Sequence, residues 1–346
     1  MNFNQLQLQQ FNIPPPIDQG MGIFFKFVRK KKTLHFNMDH QLKREHGFVH
    51  IPCHELDIFI LSDGYFGIGY HQPILAPDIP QDRVKNELRN LYLSDSYYEA
   101  PINVMLVRKA DRVILIDTGE GFYDDENAGQ LLHSLTAAGF APESITDILI
   151  THAHRDHIGG ILSKNDEMVF PNANYYISRQ EFDFWITNEP DFQKSKNPEG
   201  GKPSIPLVRK ILSTIGNRLT TFEMGDLLFS CIQTQAAPGH TPGHIIYTVN
   251  DGDISITNVV DVFHSPLLIA KPDWGTQWDI DFETGVETRK KVLENCYQNR
   301  MLICSAHLPW PGIGYISKVN DQFQWIPKVY NHPFLINLKT DLEITT

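Results

Sequence analysis

The segment that most constrains this chain runs from Ile145 to Gly160. An apolar stretch ending Ile148-Leu149-Ile150 leads directly into Thr151-His152-Ala153-His154-Arg155-Asp156-His157-Ile158-Gly159-Gly160. A short apolar run of this kind reads as a buried strand. Four side chains that can ligate a cation then fall within six positions, on a turn that can curl around an ion. Histidine offers neutral nitrogen and aspartate charged oxygen, a mixture suited to zinc and related metals. Gly159 and Gly160 let the following backbone pack closely. For one histidine, a polar loop would be the ordinary reading. Four such ligands cannot all serve one tetrahedral ion with an open position, so two adjacent ions explain them better.

Three later positions repeat the placement. His240 lies on the Gly/Pro-rich turn Ala237-Pro238-Gly239-His240-Thr241-Pro242-Gly243-His244. Asp261 ends the apolar run Ile254 to Val260, and His307 follows Leu302-Ile303-Cys304-Ser305-Ala306. Each is weak alone, because a single His or Asp after a strand is usually a cap or a core hydrogen bonder. Each falls just past a predicted strand, as a shared sheet rim requires.

The remaining pattern predicts strands over Ile58–Leu61, Ile102–Val107, Arg112–Asp117, Leu227–Thr234, His244–Val249 and Ile254–Val260, with a turn at Ser62-Asp63-Gly64. Helical spacing covers Ala128–Phe140, Val208–Ile215 and Glu287–Asn299, and Asn188–Pro203 reads as a long loop. Two sheets packed face to face with helices outside would satisfy these elements. Residues 1–50 are rich in Gln and Asn, contain Pro14-Pro15-Pro16 and lack periodicity, so they read as a variable, mobile extension. The expected organisation is this extension, a catalytic domain over 51–330 and a C-terminal tail over 331–346.

Composition narrows the function. The formal charge of -11, from 30 basic and 41 acidic residues, argues against a nucleic-acid partner. Cys53, Cys231, Cys296 and Cys304 form no C-x-x-C pair, which excludes a zinc ribbon and a thiol redox motif. No apolar run approaches the ~20 residues needed to span a bilayer. The apolar segment Met21–Val28 is short, contains Lys26 and precedes its basic cluster Arg29-Lys30-Lys31-Lys32, the reverse of a secretory signal. That cluster reads as an ordinary solvated charge run. The expected location is the cytoplasm, with no membrane partner and a homodimer as the default assembly.

In order along the chain, Asp117, the His152–His157 cluster, His240, Asp261 and His307 resemble the motif elements of the metallo-β-lactamase superfamily. Within it the chain looks most like methyl parathion hydrolase and related lactonase-type enzymes. That likeness is carried by Leu61-Ser62-Asp63-Gly64, by Pro238 to Tyr247, by His264 after Asp261, by the Arg289-Lys290-Lys291 helix and by Ala306-His307-Leu308-Pro309-Trp310-Pro311-Gly312-Ile313-Gly314. It spans about residue 55 to about residue 327. The resemblance implies an α/β fold, an αββα sandwich of two mixed sheets. It implies that His152, His154 and His240 hold one metal, that Asp156, His157 and His307 hold a second, and that Asp261 bridges them. Asp117 would orient a ligand histidine, and His244 would serve as a hydrogen-bonding support. One departure is Val260, where many relatives have Gly before the bridging Asp.

The expected chemistry is hydrolysis. Two divalent ions ~3.5–4 Å apart can share a hydroxide at neutral pH, with Zn2+ expected and Mn, Co or Fe also accepted by these ligands. Asp156 is the expected catalytic carboxylate, orienting the nucleophile and shuttling a proton. Trp185, Phe263, Trp274, Trp278 and Trp310 are candidates for an aromatic pocket around a small uncharged ester, lactone or phosphotriester. The alternatives are a thioesterase of the glyoxalase II kind and an inactive metal-binding scaffold. The first should place basic residues after His307, where no basic cluster occurs. The second fits poorly, because purely structural sites tend to be closed and mononuclear.

Overall fold

Several strands here carry apolar residues at every position, so both of their faces must be covered. The computed structural model describes residues 47–122, 126–252 and 254–329. The first sheet contains, edge to edge in chain order, β1 (Phe48–Pro52), β2 (Leu56–Gly67), β3 (Glu99–Lys109), β4 (Arg112–Ile116), β5 (Asp147–Leu149), β6 (Asn174–Ser178) and β7 (Leu219–Phe222). β1 to β4 are antiparallel neighbours, whereas β4 to β7 run parallel. The second sheet contains β8 (Leu227–Leu228), β9 (Ile232–Ala236), β10 (Ile245–Asp251), β11 (Ile254–Asn258), β12 (Leu302–Cys304), β13 (Ile313–Val319) and β14 (Gln322–Pro327). It is antiparallel except for the β11–β12 pair.

Alternation along the strands divides their side chains between layers. Ile58 and Ile60 of β2, Met105 and Val107 of β3 and Ile114 and Ile116 of β4 face Ile232, Ile245, Tyr247 and Ile256 of the second sheet. Their neighbours Phe59, Leu61, Leu106 and Leu115 point the other way, into a core shared with α2 (Leu131–Ala137), α3 (Arg155–Ile158), α4 (Arg179–Ile186) and α5 (Ile205–Ile215). On the far side of the second sheet, Ile246, Ile303 and Ile316 pack against Val292, Leu293 and Cys296 of α7 (Phe282–Gln298). The result is four layers, αββα, with mixed sheets. The excursion between β2 and β3 carries α1 (Gln81–Asn90) and builds a small core with α6 (Pro266–Ala270) and Trp274.

Several elements differ from the sequence reading for identifiable reasons. Ser62-Asp63-Gly64 is no turn: β2 runs through it with a register shift between Ser62 and Tyr65. The Asp63 carboxylate is satisfied there by the backbone N–H groups of Glu120, Gly129 and Leu131. Leu227–Thr234 is two strands, because Phe229 and Ser230 take left-handed φ values of 51° and 58° and reverse the chain. The helix expected from Glu287 begins at Phe282, where the Asp281 side chain caps it by accepting the Thr284 N–H. Phe48 to His50, assigned to the extension, form the start of β1. Arg29–Lys32, the rest of the extension and the tail over 331–346 lie outside the described residues. Among the described residues no helix is long and apolar enough to cross a membrane.

Ile60 is fully buried between the sheets. Ile60→Ala should therefore lower unfolding free energy by about 2–5 kcal/mol, read as a shifted urea midpoint with an unchanged slope.

Candidate metal centre

All of the ligand-type side chains singled out in the sequence follow strand ends. Asp117 follows β4, the His152–His157 segment follows β5, Asp261 follows β11 and His307 follows β12. Two of the parallel pairs, β4–β5 and β11–β12, thus deliver their C-terminal ends to one rim. His240 comes from the turn between β9 and β10. That turn packs so tightly on α7 that a Cβ at Gly239, where φ is +128°, would lie 2.2 Å from the Gly285 nitrogen. Likewise a Cβ on Gly160 would lie 2.0 Å from the Thr118 carbonyl oxygen, so the second glycine after the His/Asp cluster is sterically required.

The seven side chains converge in two overlapping groups. His152 Nε2 and His154 Nδ1 are 3.1 Å apart, and His154 Nδ1 is 2.8 Å from His240 Nε2. Asp156 Oδ2 lies 3.3 Å from both His157 Nε2 and His307 Nε2. Asp261 reaches both groups: Oδ2 is 3.1 Å from His240 Nε2 and 3.2 Å from His307 Nε2, and Oδ1 is 3.3 Å from His157 Nε2. Each group has the donor types and spacing that could hold a metal ion.

Hydrogen bonding from behind settles which way each ring faces. His157 Nδ1–H donates to Asp117 Oδ2 at 2.8 Å. Thr151 Oγ1–H donates to the same oxygen at 2.8 Å, so Thr151 Oγ1 accepts from His152 Nδ1–H at 3.1 Å. His240 Nδ1–H donates to Asp279 Oδ1 at 3.1 Å, and His307 Nδ1–H donates to the Pro101 carbonyl at 2.7 Å. A neutral imidazole has one N–H and one lone pair. When these four rings are neutral, each turns a lone pair on Nε2 toward the other rings and the two carboxylates. His157 Nε2 and Asp261 Oδ1 are buried with no hydrogen-bond partner although they adjoin. Such an assembly of acceptors fits cations at its centre. Burial opposes ionisation of Asp156 and Asp261, yet positive charge on His157 and His307 holds both carboxyls well below the usual range. Against the cost of burial, Asp261 raises His240 to about 9 and His307 to about 10, so without a metal the rings themselves carry the positive charge that the carboxylates demand.

His244 stands behind the groups. Its Nε2 accepts the Asp261 N–H at 3.4 Å, and burial pushes its pKa down to about 3, so it is neutral. Val260 has φ of +49°, a left-handed conformation that is a genuine outlier for a β-branched residue. The Val260 carbonyl is clamped there by Ser305 Oγ–H at 2.9 Å. Glycine adopts this conformation without strain, and with valine there Asp261 still reaches both groups.

Two supports were missed in the sequence, and a third, His264, entered it only through the family resemblance. Asp279 joins His240 to Arg289 Nη2, 3.2 Å away, with both partners of that ion pair 1 % exposed. Glu181 on α4 is fully buried and accepts four donors: Ala153 N–H, Trp185 Nε1–H, Thr241 Oγ1–H and Gly243 N–H. It thereby ties the segment bearing His152 and His154 to the turn bearing His240. His264 is fully buried, with Nε2 3.4 Å from Asp261 Oδ2. None of these has a local signature, since an acid within an amphipathic helix looks like surface until its burial is known.

A cavity of about 400 Å³ opens onto His154, Asp156, His240, Asp261 and His307. Of the five expected pocket aromatics, Trp278 lines it, whereas Trp310 lines a neighbouring cavity on the other side of His307. Trp185, Phe263 and Trp274 belong to the core. Trp185 is held by Glu181 and meets the His154 ring edge-on at 6.0 Å, so it braces a ligand-type side chain without reaching the cavity. Phe66 and Phe192 supply aromatic wall instead.

A model of the metallo-beta-lactamase superfamily matches residues 97–258. A probable metallo-hydrolase of Bacillus subtilis is 24 % identical over 216 residues, covering 60 % of this chain and 80 % of that relative. Among solved structures, AidC, described as a dizinc quorum-quenching lactonase in complex with a product, is 38 % identical and superposes with a TM-score of 0.78, covering 83 % of this chain and 99 % of that one. The hydrolase AbOPH, described as belonging to the beta lactamase superfamily, is 31 % identical with a TM-score of 0.75 over 84 % of this chain and 100 % of that one.

Two outcomes follow from the supporting hydrogen bonds. Asp117→Asn sets an amide against the His157 and Thr151 donors and should weaken metal binding roughly 10- to 100-fold, measured by competition with a chromophoric chelator. Glu181→Ala strands four donors in the interior and should cost on the order of 3 kcal/mol of stability, measured by chemical denaturation.

Proposed function

Because the chain belongs to the metallo-beta-lactamase superfamily, we propose that it is a dinuclear metal-dependent hydrolase that opens a lactone or cleaves a related carboxylic or phosphoric ester. The observation that carries this reading is the convergence of seven ligand-type side chains, five of which, His154, Asp156, His240, Asp261 and His307, line an open cavity. A purely structural site would be closed.

His152, His154 and His240 would hold one ion and Asp156, His157 and His307 the other, with Asp261 between them. Two divalent ions held there supply Lewis-acid polarisation and a nucleophile at neutral pH. Zinc is supported by the dizinc lactonase neighbour and by the nitrogen-rich donor set. The chain's own residues do the rest. Asp156 is the more exposed of the two central carboxylates, at 15 % against 3 % for Asp261. It can take a proton from water as the new C–O bond forms and return it to the departing alcohol as the ester C–O bond breaks. Phe66, Ile68, Phe192, Trp278 and Ile280 line the cavity and would hold the apolar part of the substrate away from water. Hydroxyacylglutathione hydrolase of Pectobacterium atrosepticum is 27 % identical over 41 % of each chain. An anionic tripeptide thioester is the less favoured substrate, because among the described residues lining the cavity there is one arginine, Arg155, and no lysine, and the Glu120 carboxyl lies 2.6 Å from it.

Purified protein should hydrolyse lactones or aryl esters faster than glutathione thioesters. A chelator should abolish the activity and zinc restore it. Asp156→Asn should lower kcat by about 10²–10⁴. Turnover of glutathione thioesters alone, or of no ester class by metal-loaded protein, would refute the proposal.

A further inference from the structure

One wall of the cavity comes from the chain between α4 and α5, and it is pinned at several points. Ser195 Oγ–H donates to the Gln277 carbonyl at 3.1 Å, and the same oxygen accepts the Asn197 N–H at 3.1 Å. The Lys194 carbonyl accepts the Phe282 N–H at 3.2 Å, at the start of α7. Lys196 Nζ lies 2.6 Å from Asp78 Oδ2 and 4.6 Å above the centre of the Phe282 ring. A Cβ on Gly201 would lie 2.3 Å from the Phe192 ring, so the loop closes tightly on that aromatic.

Ser195 thus clips two segments together, and each brings a primary amide to the cavity: Asn197 from the loop and Gln277 from the chain before α7. Ser204 adds a hydroxyl that makes no capping bond to α5. The three residues are half-buried, and none of their side chains has a hydrogen-bond partner among the described residues. Nothing in the metal centre uses them. Gln277 is followed by Trp278, which lines the cavity, and by Asp279, which accepts the His240 Nδ1–H. The polar wall therefore belongs to the same stretch of chain that orients a ligand-type histidine.

A primary amide presents two N–H donors and a carbonyl acceptor in one plane, and a hydroxyl both donates and accepts. All three groups are uncharged, so they select for hydrogen bonding and not for the sign of a charge. A lone carbonyl on a ligand would use their donors and leave their acceptors idle. Vicinal hydroxyl groups use both, while the carbon skeleton between them packs on the aromatic walls Trp278 and Phe192.

We propose that Asn197, Ser204 and Gln277 form a specificity-determining subsite for a neutral polyol arm of the substrate, carried beside the scissile ester. This deepens the hydrolase reading and rests on it for the identity of the reacting bond.

The test uses two non-hydrolysable ketone analogues of an ester on the zinc-loaded protein. One has an arm ending in a vicinal diol and the other has the deoxy arm of the same length. Wild type should bind the diol roughly tenfold or more tightly than the deoxy analogue, measured by calorimetry. Asn197→Leu and Gln277→Met keep side-chain volume and remove the amides, and together they should bring the two analogues within about threefold. If the double variant folds poorly, Asn197→Ala and Gln277→Ala are used singly, and each should lower the ratio by about threefold. Circular dichroism and zinc content are measured for every variant, so that a lost ratio with retained fold and metal reports on the amides. With the corresponding esters, the loss should appear mainly in KM. A wild-type ratio below about tenfold, or a ratio above about threefold in the zinc-loaded double variant, would overturn the proposal. A preserved diol preference without turnover of any ester would instead overturn the hydrolase reading and leave the polyol subsite standing.

Discussion

The arrangement depends on a crowd of ring nitrogens and carboxylates that demands positive charge at its centre. Four imidazoles have committed their Nδ1–H to Asp117, Thr151, Asp279 and the Pro101 carbonyl, so when neutral their remaining lone pairs face one another and two buried carboxylates. Inside a protein, unpaired acceptors at 3 Å repel strongly and lack water to relieve them. Metal ions held there would convert that repulsion into bonds, and folding of the two sheets would then be linked to metal binding, because each sheet supplies only part of the set.

Keeping the acceptors together takes strain elsewhere. Asp117 and Val260 both adopt left-handed backbone, at φ of 66° and 49°, and both stand at the strand ends that deliver the centre. Backbone outliers of this kind persist only where surrounding bonds over-determine them. Thr151 and His157 hold Asp117, and Ser305 holds the Val260 carbonyl. Behind them, Glu181 joins two ligand-bearing segments and the Asp279–Arg289 pair fixes His240 to α7. The centre is thus preorganised by a buried polar layer about as extensive as the set of ligand-type residues itself.

How much of this was legible in sequence follows from where each signal lies. The seven ligand-type residues were readable because His and Asp directly after apolar runs are uncommon, and because four of them fall in one segment. The layered fold was readable because Ile58–Leu61 and Ile148–Ile150 are apolar at successive positions, which demands cover on both faces. Asp117 and His244 were expected as supports through the family resemblance, but the remaining supports were not readable. Glu181, Asp279 and Arg289 are charged residues within helical or loop sequence, and only tertiary packing buries them. The pocket aromatics were readable as candidates only: Trp185 and Trp274 look like Trp278 in sequence, yet the first two fill cores and the third faces the cavity. Ser62-Asp63-Gly64 carried turn chemistry but was absorbed into a strand, because a buried carboxylate with three backbone donors stabilises the irregularity.

Anomalous diffraction from crystals of the zinc-loaded protein, recorded on either side of the zinc absorption edge, tests the central claim most directly. The account predicts two peaks about 3.5–4 Å apart, one within bonding distance of His152, His154 and His240, the other of Asp156, His157 and His307, with Asp261 reaching both. A single peak, or zinc bound away from these side chains, would contradict it.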